Sequence, residues 1–263
     1  MFEEIIVHLD TVTLLSLLSV IFLLVTAYLT STRVLTAATP SSLRILFVWH
    51  LFDFFIHTIL EGSFLYVCFF TSLSFEPDVH DAALINHFRS DPERLYGAAY
   101  GSNWANKLWM VYAQADRRWS GADTSIISLE LLTVIVGGPL ALYICYGIAR
   151  RHSMTPFWMI ILATGELYGG KSWLNSYQSR NKITDSRVTS GFMTFMPEWL
   201  IGSRNLDTSN FMYMWFYLVF FNFIWVLFPI FALRISYKQI SNAFAINQKR
   251  FSAETWFDGK KLA

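Results

Sequence analysis

Val48-Trp49-His50-Leu51-Phe52-Asp53-Phe54-Phe55-Ile56-His57-Thr58-Ile59-Leu60-Glu61-Gly62 is apolar enough to cross a membrane as a helix, yet it carries two histidines and two carboxylates. His50, Asp53, His57 and Glu61 follow steps of three, four and four residues, which sets all four on one side of that helix. A charged group near the bilayer centre costs roughly 2.5–3.5 kcal/mol on insertion scales, so it is rare without a task. The stripe is therefore a candidate functional site.

Composition agrees with a lipid-embedded chain. Of 263 residues, 54% are hydrophobic, 17% aromatic and only 15% charged, against about a quarter charged in soluble domains. Lys+Arg 20 against Asp+Glu 19 leaves no basic excess, which excludes nucleic acid as a partner. Cys68 and Cys145 sit in apolar runs with no metal-ligand spacing and read as small core hydrophobes. The start, Met1-Phe2-Glu3-Glu4, is acidic where a signal peptide is positive, so the first apolar segment is expected to stay as an anchor.

Five segments have the length and apolarity of a span: 12–30, 43–70, 125–149, 156–177 and 211–236. The first carries no ionisable residue and reads as a lipid-facing anchor. The other four each bring polar groups into the bilayer, which suggests a shared interior. Arg33 and Arg44 bracket the first loop, Arg150 and Arg151 occupy the third, and Arg234, Lys238, Lys249 and Arg250 follow the last span. The positive-inside rule then places the N-terminus in the lumen and the C-terminus in the cytosol. Lys260-Lys261-Leu262-Ala263 resembles the dilysine retrieval signal of endoplasmic-reticulum membrane proteins, which must be cytosolic.

His57 and Glu61 stand one turn apart, so imidazole and carboxylate can hydrogen-bond or share a proton. A structural polar pair between two helices would explain one such histidine; a stripe of four polar groups favours function. The stripe spans about 16 Å at 1.5 Å rise per residue, too far for one ion to touch all four, and no further histidine lies in the spans. No metal is expected. Glu130 and Thr133 share a face of the third span, followed by Gly137-Gly138-Pro139, which permits a kink and close packing. Snorkelling to water would equally account for Glu130. Glu166 and Lys171 fit a lumen-side rim with Gly165, Gly169 and Gly170 as a packing face. In the fifth span Asn222 and Trp225 share a face, and a buried amide and an indole N–H both need partners. Between the second and third spans, Trp109, Tyr112, Asp116, Arg118 and Trp119 suit an interfacial helix over a cavity mouth, or a plain surface helix.

Together, His57-x-x-x-Glu61-Gly62, Trp109-x-x-Tyr112 with Asp116 and Arg118, Glu130-x-x-Thr133, Gly137-Gly138-Pro139-Leu140, Gly165-x-x-Tyr168-Gly169, and Trp215-x-Tyr217 through Asn222-x-x-Trp225 resemble the emopamil-binding protein (EXPERA-type) family. The resemblance runs in order from about residue 43 to 233. It implies an all-α integral membrane protein of five transmembrane helices, four forming a bundle around a sterol-sized cavity, with the anchor packed outside. The implied division is an N-terminal segment with the anchor (1–42), the catalytic bundle (43–236) and a cytosolic tail (237–263).

The implied activity is that of a sterol Δ8-Δ7 isomerase of the endoplasmic-reticulum membrane. Such enzymes protonate the 8,9 double bond at C9, form a carbocation at C8 and lose a proton from C7, without a cofactor. Carried over by position, His57, Glu61 and Glu130 are the catalytic set. Thr133, Asn222 and Trp225 are their supporting shell, and Tyr112, Trp119, Tyr168 and Asp53 complete the expected substrate-binding residues. The implied partners are a sterol or other polycyclic lipid and membrane lipid; a homodimer stays open. The chemistry fits independently, since moving a double bond needs an acid, a base and stabilisation of a cation, with no redox step.

Asp53 and His50 stand where small or apolar residues are expected, Glu166 and Gly170 replace Gln and Asp, and Trp119 replaces Tyr. The long second and fourth connections look like the fungal-type branch, where sterol synthesis generally uses an unrelated isomerase. An acid–base isomerase or cyclase of a terpenoid or other specialised metabolite is thus the alternative. A non-catalytic lipid-binding protein of the sigma-2 receptor type is a further one, although that branch has aspartates where this chain keeps glutamates. Five spans without inverted repeats speak against a proton or ion transporter.

Overall fold

The computed structural model describes residues 11–74, 88–90, 94–169, 198, 200 and 202–261. Six helices carry the fold: α1 (Thr11–Val34), α2 (Ser41–Phe70), α3 (Trp104–Ala113), α4 (Thr124–Ala149), α5 (Thr155–Gly169) and α6 (212–261). Helices α1, α2, α4 and most of α6 are long and apolar enough to cross a membrane. Of the expected span 156–177, the described part is α5; the remainder, with Gly170 and Lys171, lies outside the described residues. The last helix does not stop near 236 but runs on to Lys261.

Local chemistry sets the helix ends. Asn103 caps α3 by accepting from the Asn106 N–H, and Asp123 caps α4 by accepting from Ser125 and Ile126. Arg44 satisfies carbonyls at the end of α1, donating to Ser31 O (3.1 Å) and Thr36 O (3.0 Å). A two-stranded antiparallel ribbon, β1 (Ser72–Ser74) with β2 (Arg94–Tyr96), follows α2 in register Ser72 with Tyr96.

Three of the helices depart from α geometry, each within the region that forms the site. Ile56–Glu61 in α2, Thr133–Gly137 in α4 and Met212–Phe220 in α6 are π-helical. An extra residue in a turn re-aims the side chains around it, and such segments concentrate at functional sites. The α2 and α4 π segments pack directly on each other. Glycine permits the approach: a Cβ on Gly138 would stand 3.3 Å from both His57 Cβ and Thr58 Cγ2.

One buried cluster joins α1, α2, α4, α5 and α6, with Ala27, Leu46, Ala141, Met159, Ala163 and Ala232 among its most enclosed members. Trp49 stacks on Phe228 at 4.3 Å and meets Trp225 edge-on at 5.3 Å, which fastens α2 to α6. The anchor helix is not a bystander. Ser16, Leu17, Ser19 and Val20 of α1 line the main cavity, so all six helices contribute to its wall. Ser16 and Ser19 can face it because their hydroxyls donate to carbonyls of their own helix.

A second polar knot lies outside the spans. Arg118 donates from Nε to Asp116 Oδ1 (3.0 Å) and from a terminal nitrogen to Asp116 Oδ2 (2.7 Å). Glu198 Oε1 lies 3.6 Å from the same guanidinium, and Asn205 donates to both Glu198 oxygens. Burial opposes the charge on Arg118, but the hydrogen bonds and charges of Asp116 and Glu198 outweigh it and raise its pKa above the ordinary value. The Arg117 N–H donates to Asn205 O and the Asp207 N–H to Ala115 O, which ties the two long connections together.

Candidate active site

The bundle encloses a cavity of about 1060 Å³, at the upper end of small-molecule sites. Its wall is largely apolar. His57, Glu61, Glu130, Thr133 and Glu166 are among its ionisable and hydrogen-bonding groups, and Trp109, Tyr112, Trp119, Tyr217 and Trp225 are among its aromatic ones. Trp109 and Trp119 stack at 4.9 Å, Tyr112 meets Trp119 edge-on, and the Trp109 indole donates to Ser63 Oγ (2.9 Å). The loop helix α3 therefore contributes directly to the cavity.

At the α2–α4 junction the π segments bring three spanning-helix groups together. His57 Nδ1 lies 2.6 Å from Glu61 Oε2. The Thr133 hydroxyl donates to Glu61 Oε2 at 2.7 Å and stands 3.2 Å from Glu130 Oε2. Glu130 is only 5% exposed. Snorkelling to water is thus not the explanation of Glu130. The hydroxyl has one proton and two carboxyl oxygens within reach, so the two carboxyls share a single donor. His57, Glu61, Glu130 and Thr133 form one proton-sharing network across two helices.

His57 is engaged on both sides. Its Nε2 lies 3.1 Å from Asp53 Oδ1, which also accepts from the Trp225 indole at 3.0 Å. Neutral imidazole has a single N–H, so contacts at both nitrogens hold a further proton in this chain of groups. Asp53 was expected to touch substrate but is fully buried behind His57 and does not line the cavity; its role in the geometry is to orient His57 and Trp225. Asn222 does not reach the wall either. Its amide donates to the carbonyls of Tyr217 and Leu218 within the α6 π segment. Tyr112, Trp119, Thr133, Tyr168 and Trp225 do line the cavity, Tyr168 at its exposed edge.

Two residues stand differently from the sequence reading. Glu166 is not a rim residue: both its carboxyl oxygens are buried, and it faces Asp53 and His57. One ligand atom from each of Asp53, His57 and Glu166 lies within 4.8 Å of the others. A cation could be imagined among three such donors, but His57 Nε2 is already engaged by Asp53. Two ionised carboxylates at that separation would repel by at least about 3 kcal/mol at an effective dielectric near 20. The second residue is His50, fully buried with no hydrogen-bond partner for either ring nitrogen among the described residues. The signal for Glu166 was present, a carboxylate inside an apolar run, but its partners lie on another helix.

Fold and site define a multi-pass helical membrane protein whose spans enclose an apolar chamber with paired carboxyl groups on its wall. The chain belongs to the EXPERA family (expanded EBP superfamily), whose model matches residues 104–188 and 183–235. Among its relatives, the 3-beta-hydroxysteroid-Delta(8),Delta(7)-isomerase of Cavia porcellus is 23% identical over 209 residues, covering 79% of this chain and 69% of the relative. The probable 3-beta-hydroxysteroid-Delta(8),Delta(7)-isomerase of Oryza sativa subsp. japonica is 25% identical over 224 residues, covering 85% and 80%. Protoglabretal synthase of Citrus sinensis is 27% identical over 86 residues, covering 32% and 41%.

Proposed function

We propose that this protein is a cofactor-free isomerase that shifts a carbon–carbon double bond in a Δ8-sterol or a similar polycyclic lipid. The observation that carries the reading is the contact of Glu61 and Glu130, from two spans, through Thr133 on the wall of an apolar cavity. A proton given to the alkene makes a carbocation, and loss of a neighbouring proton forms the new double bond. The reaction is redox-neutral and asks the protein only for an acid, a base and cation stabilisation. His57, Glu61 and Glu130 supply proton transfer. Trp225, held by Asp53, offers an indole to the developing cation. The sterol isomerase names of two relatives support this substrate class.

A second reading has the same acid chemistry acting on a terpenoid. Glu166, which adds a carboxyl to the chamber wall, Asp53 behind it, and the similarity to protoglabretal synthase favour it. For location, the positive charge that follows the last span supports a cytosolic side for the segment beyond it, and the family resemblance supports the endoplasmic-reticulum membrane.

Expression in a strain lacking Δ8-Δ7 isomerase tests the choice. Restored Δ7-sterol supports the sterol reading. No rescue, with a terpenoid product in a host supplying polycyclic precursors, would transfer the activity to the second.

A further inference from the structure

We propose that Asp53 and Glu166 form a second proton-holding carboxyl pair, joined through the His57 imidazole to the Glu61–Glu130 pair, with Glu166 a further catalytic residue. The inference deepens the isomerase reading and rests on it for the role of the pair in turnover. The geometry comes from two spans that share no hydrogen bond in the catalytic cluster described above. Asp53 Oδ2 and both Glu166 oxygens are buried and have no hydrogen-bond donor among the described residues. Yet the two carboxyls converge, with His57, to within 4.8 Å. A buried carboxyl without a donor is costly, and two facing each other are satisfied by one proton between them. Asp53 Oδ1 is occupied by His57 Nε2 and the Trp225 indole, so the proton belongs on the Glu166 side of Asp53. Glu166, unlike Asp53, lines the cavity and is the member that meets substrate.

The connection gives the two pairs complementary tasks. Glu166 donates: its O–H bond breaks, the alkene π electrons form a C–H bond, and the adjacent carbon becomes cationic. A neighbouring C–H proton then passes to the Glu61–Glu130 pair, and the electrons of that bond form the new alkene. One pair now has a proton too many and the other one too few. Passage of a proton from Glu61 to His57 Nδ1, with release of the Nε2 proton to Asp53, restores the proton count of both pairs and leaves the imidazole in its other tautomer. Nothing is oxidised or reduced, and the imidazole is already in contact with a carboxyl at each nitrogen, at 2.6 Å and 3.1 Å.

The test uses the full chain in lipid nanodiscs and has two arms. In the first, without substrate, infrared spectra report the carbonyl stretch of protonated carboxyl groups and its shift in heavy water. Glu166→Gln and Asp53→Asn should each remove the same component, while Glu130→Gln removes a different one. The two variants keep the question answerable if one does not fold. A spectrum unchanged by both, or a stoichiometric divalent metal that both variants lose, overturns the proposal. In the second arm, with a Δ8-sterol, Glu166→Gln should lower kcat by about 100-fold or more with KM within about 3-fold, and Glu166→Asp should recover part of it. A kcat within about 3-fold of the parent for Glu166→Gln refutes the catalytic role. If the parent protein converts no sterol, the isomerase reading has failed, and the infrared arm alone decides whether the pair exists.

Discussion

The Thr133 hydroxyl lies 2.7 Å from Glu61 Oε2, a hydrogen bond between two membrane-spanning helices, and the second carboxyl, Glu130, stands within 3.2 Å of the same hydroxyl. Glu61→Gln and Glu130→Gln keep shape and lose the ionisable proton. Each is expected to lower turnover by about 10²–10⁴-fold, the usual worth of a positioned acid or base, with an unchanged gel-filtration profile. Lipid binding and turnover that survive both changes would favour a binding protein instead.

Thr133 itself carries no transferable charge, so its substitution tests positioning. Thr133→Val preserves volume and removes the hydroxyl that touches both carboxyls. A fall in kcat of about 10-fold is expected, with Thr133→Ser restoring most of it, since a neutral hydrogen bond to a charged group is worth about 1.5–3 kcal/mol. Equal rates for Val and Ser would show that the hydroxyl does nothing for the chemistry.

Helix contacts in a bilayer rely on small residues, and Gly147 of α4 is a sharp case. A Cβ there would sit 2.5 Å from Thr155 Oγ1 at the start of α5. Gly147→Ala should destabilise by about 1–3 kcal/mol through overpacking. Adding Thr155→Ala should relieve much of that loss. Thermal unfolding in detergent of the two single variants and the double variant reads the coupling directly.

Arg118 holds two buried carboxylates, Asp116 and Glu198, in the knot that joins the long connections. Arg118→Met leaves both without their cationic partner, and a loss of about 3–5 kcal/mol is expected. Arg118→Lys should recover little, because the fork that meets both Asp116 oxygens is replaced by a single point of charge. Unfolding midpoints of the two variants provide the check.

Much of this was legible in the chain. Apolar runs located the spanning helices, and the cost of burying charge singled out His57, Glu61 and Glu130 before their contacts were known. What the sequence concealed has physical causes. The π segments at Ile56–Glu61 and Thr133–Gly137 differ from α-helix by one residue in a turn, which leaves no trace in apolar periodicity. Asn222 was expected in the cavity, but its amide donates instead to carbonyls of the π segment before it. The anchor's part in the wall depends on small serines whose hydroxyls are satisfied internally. Glu166 acquires its meaning only from packing, since its neighbours Asp53 and His57 lie more than a hundred residues away in sequence.

Conversion of a Δ8-sterol in heavy water by the reconstituted protein is the most direct trial of proton exchange between a polycyclic substrate and the Glu61–Glu130 pair on the chamber wall. Product from the parent protein should carry one deuterium at C9, and Glu61→Gln and Glu130→Gln should yield almost none. Sterol recovered unchanged and unlabelled from the parent protein would refute the sterol reaction, and label undiminished in both variants would refute the carboxyl pair.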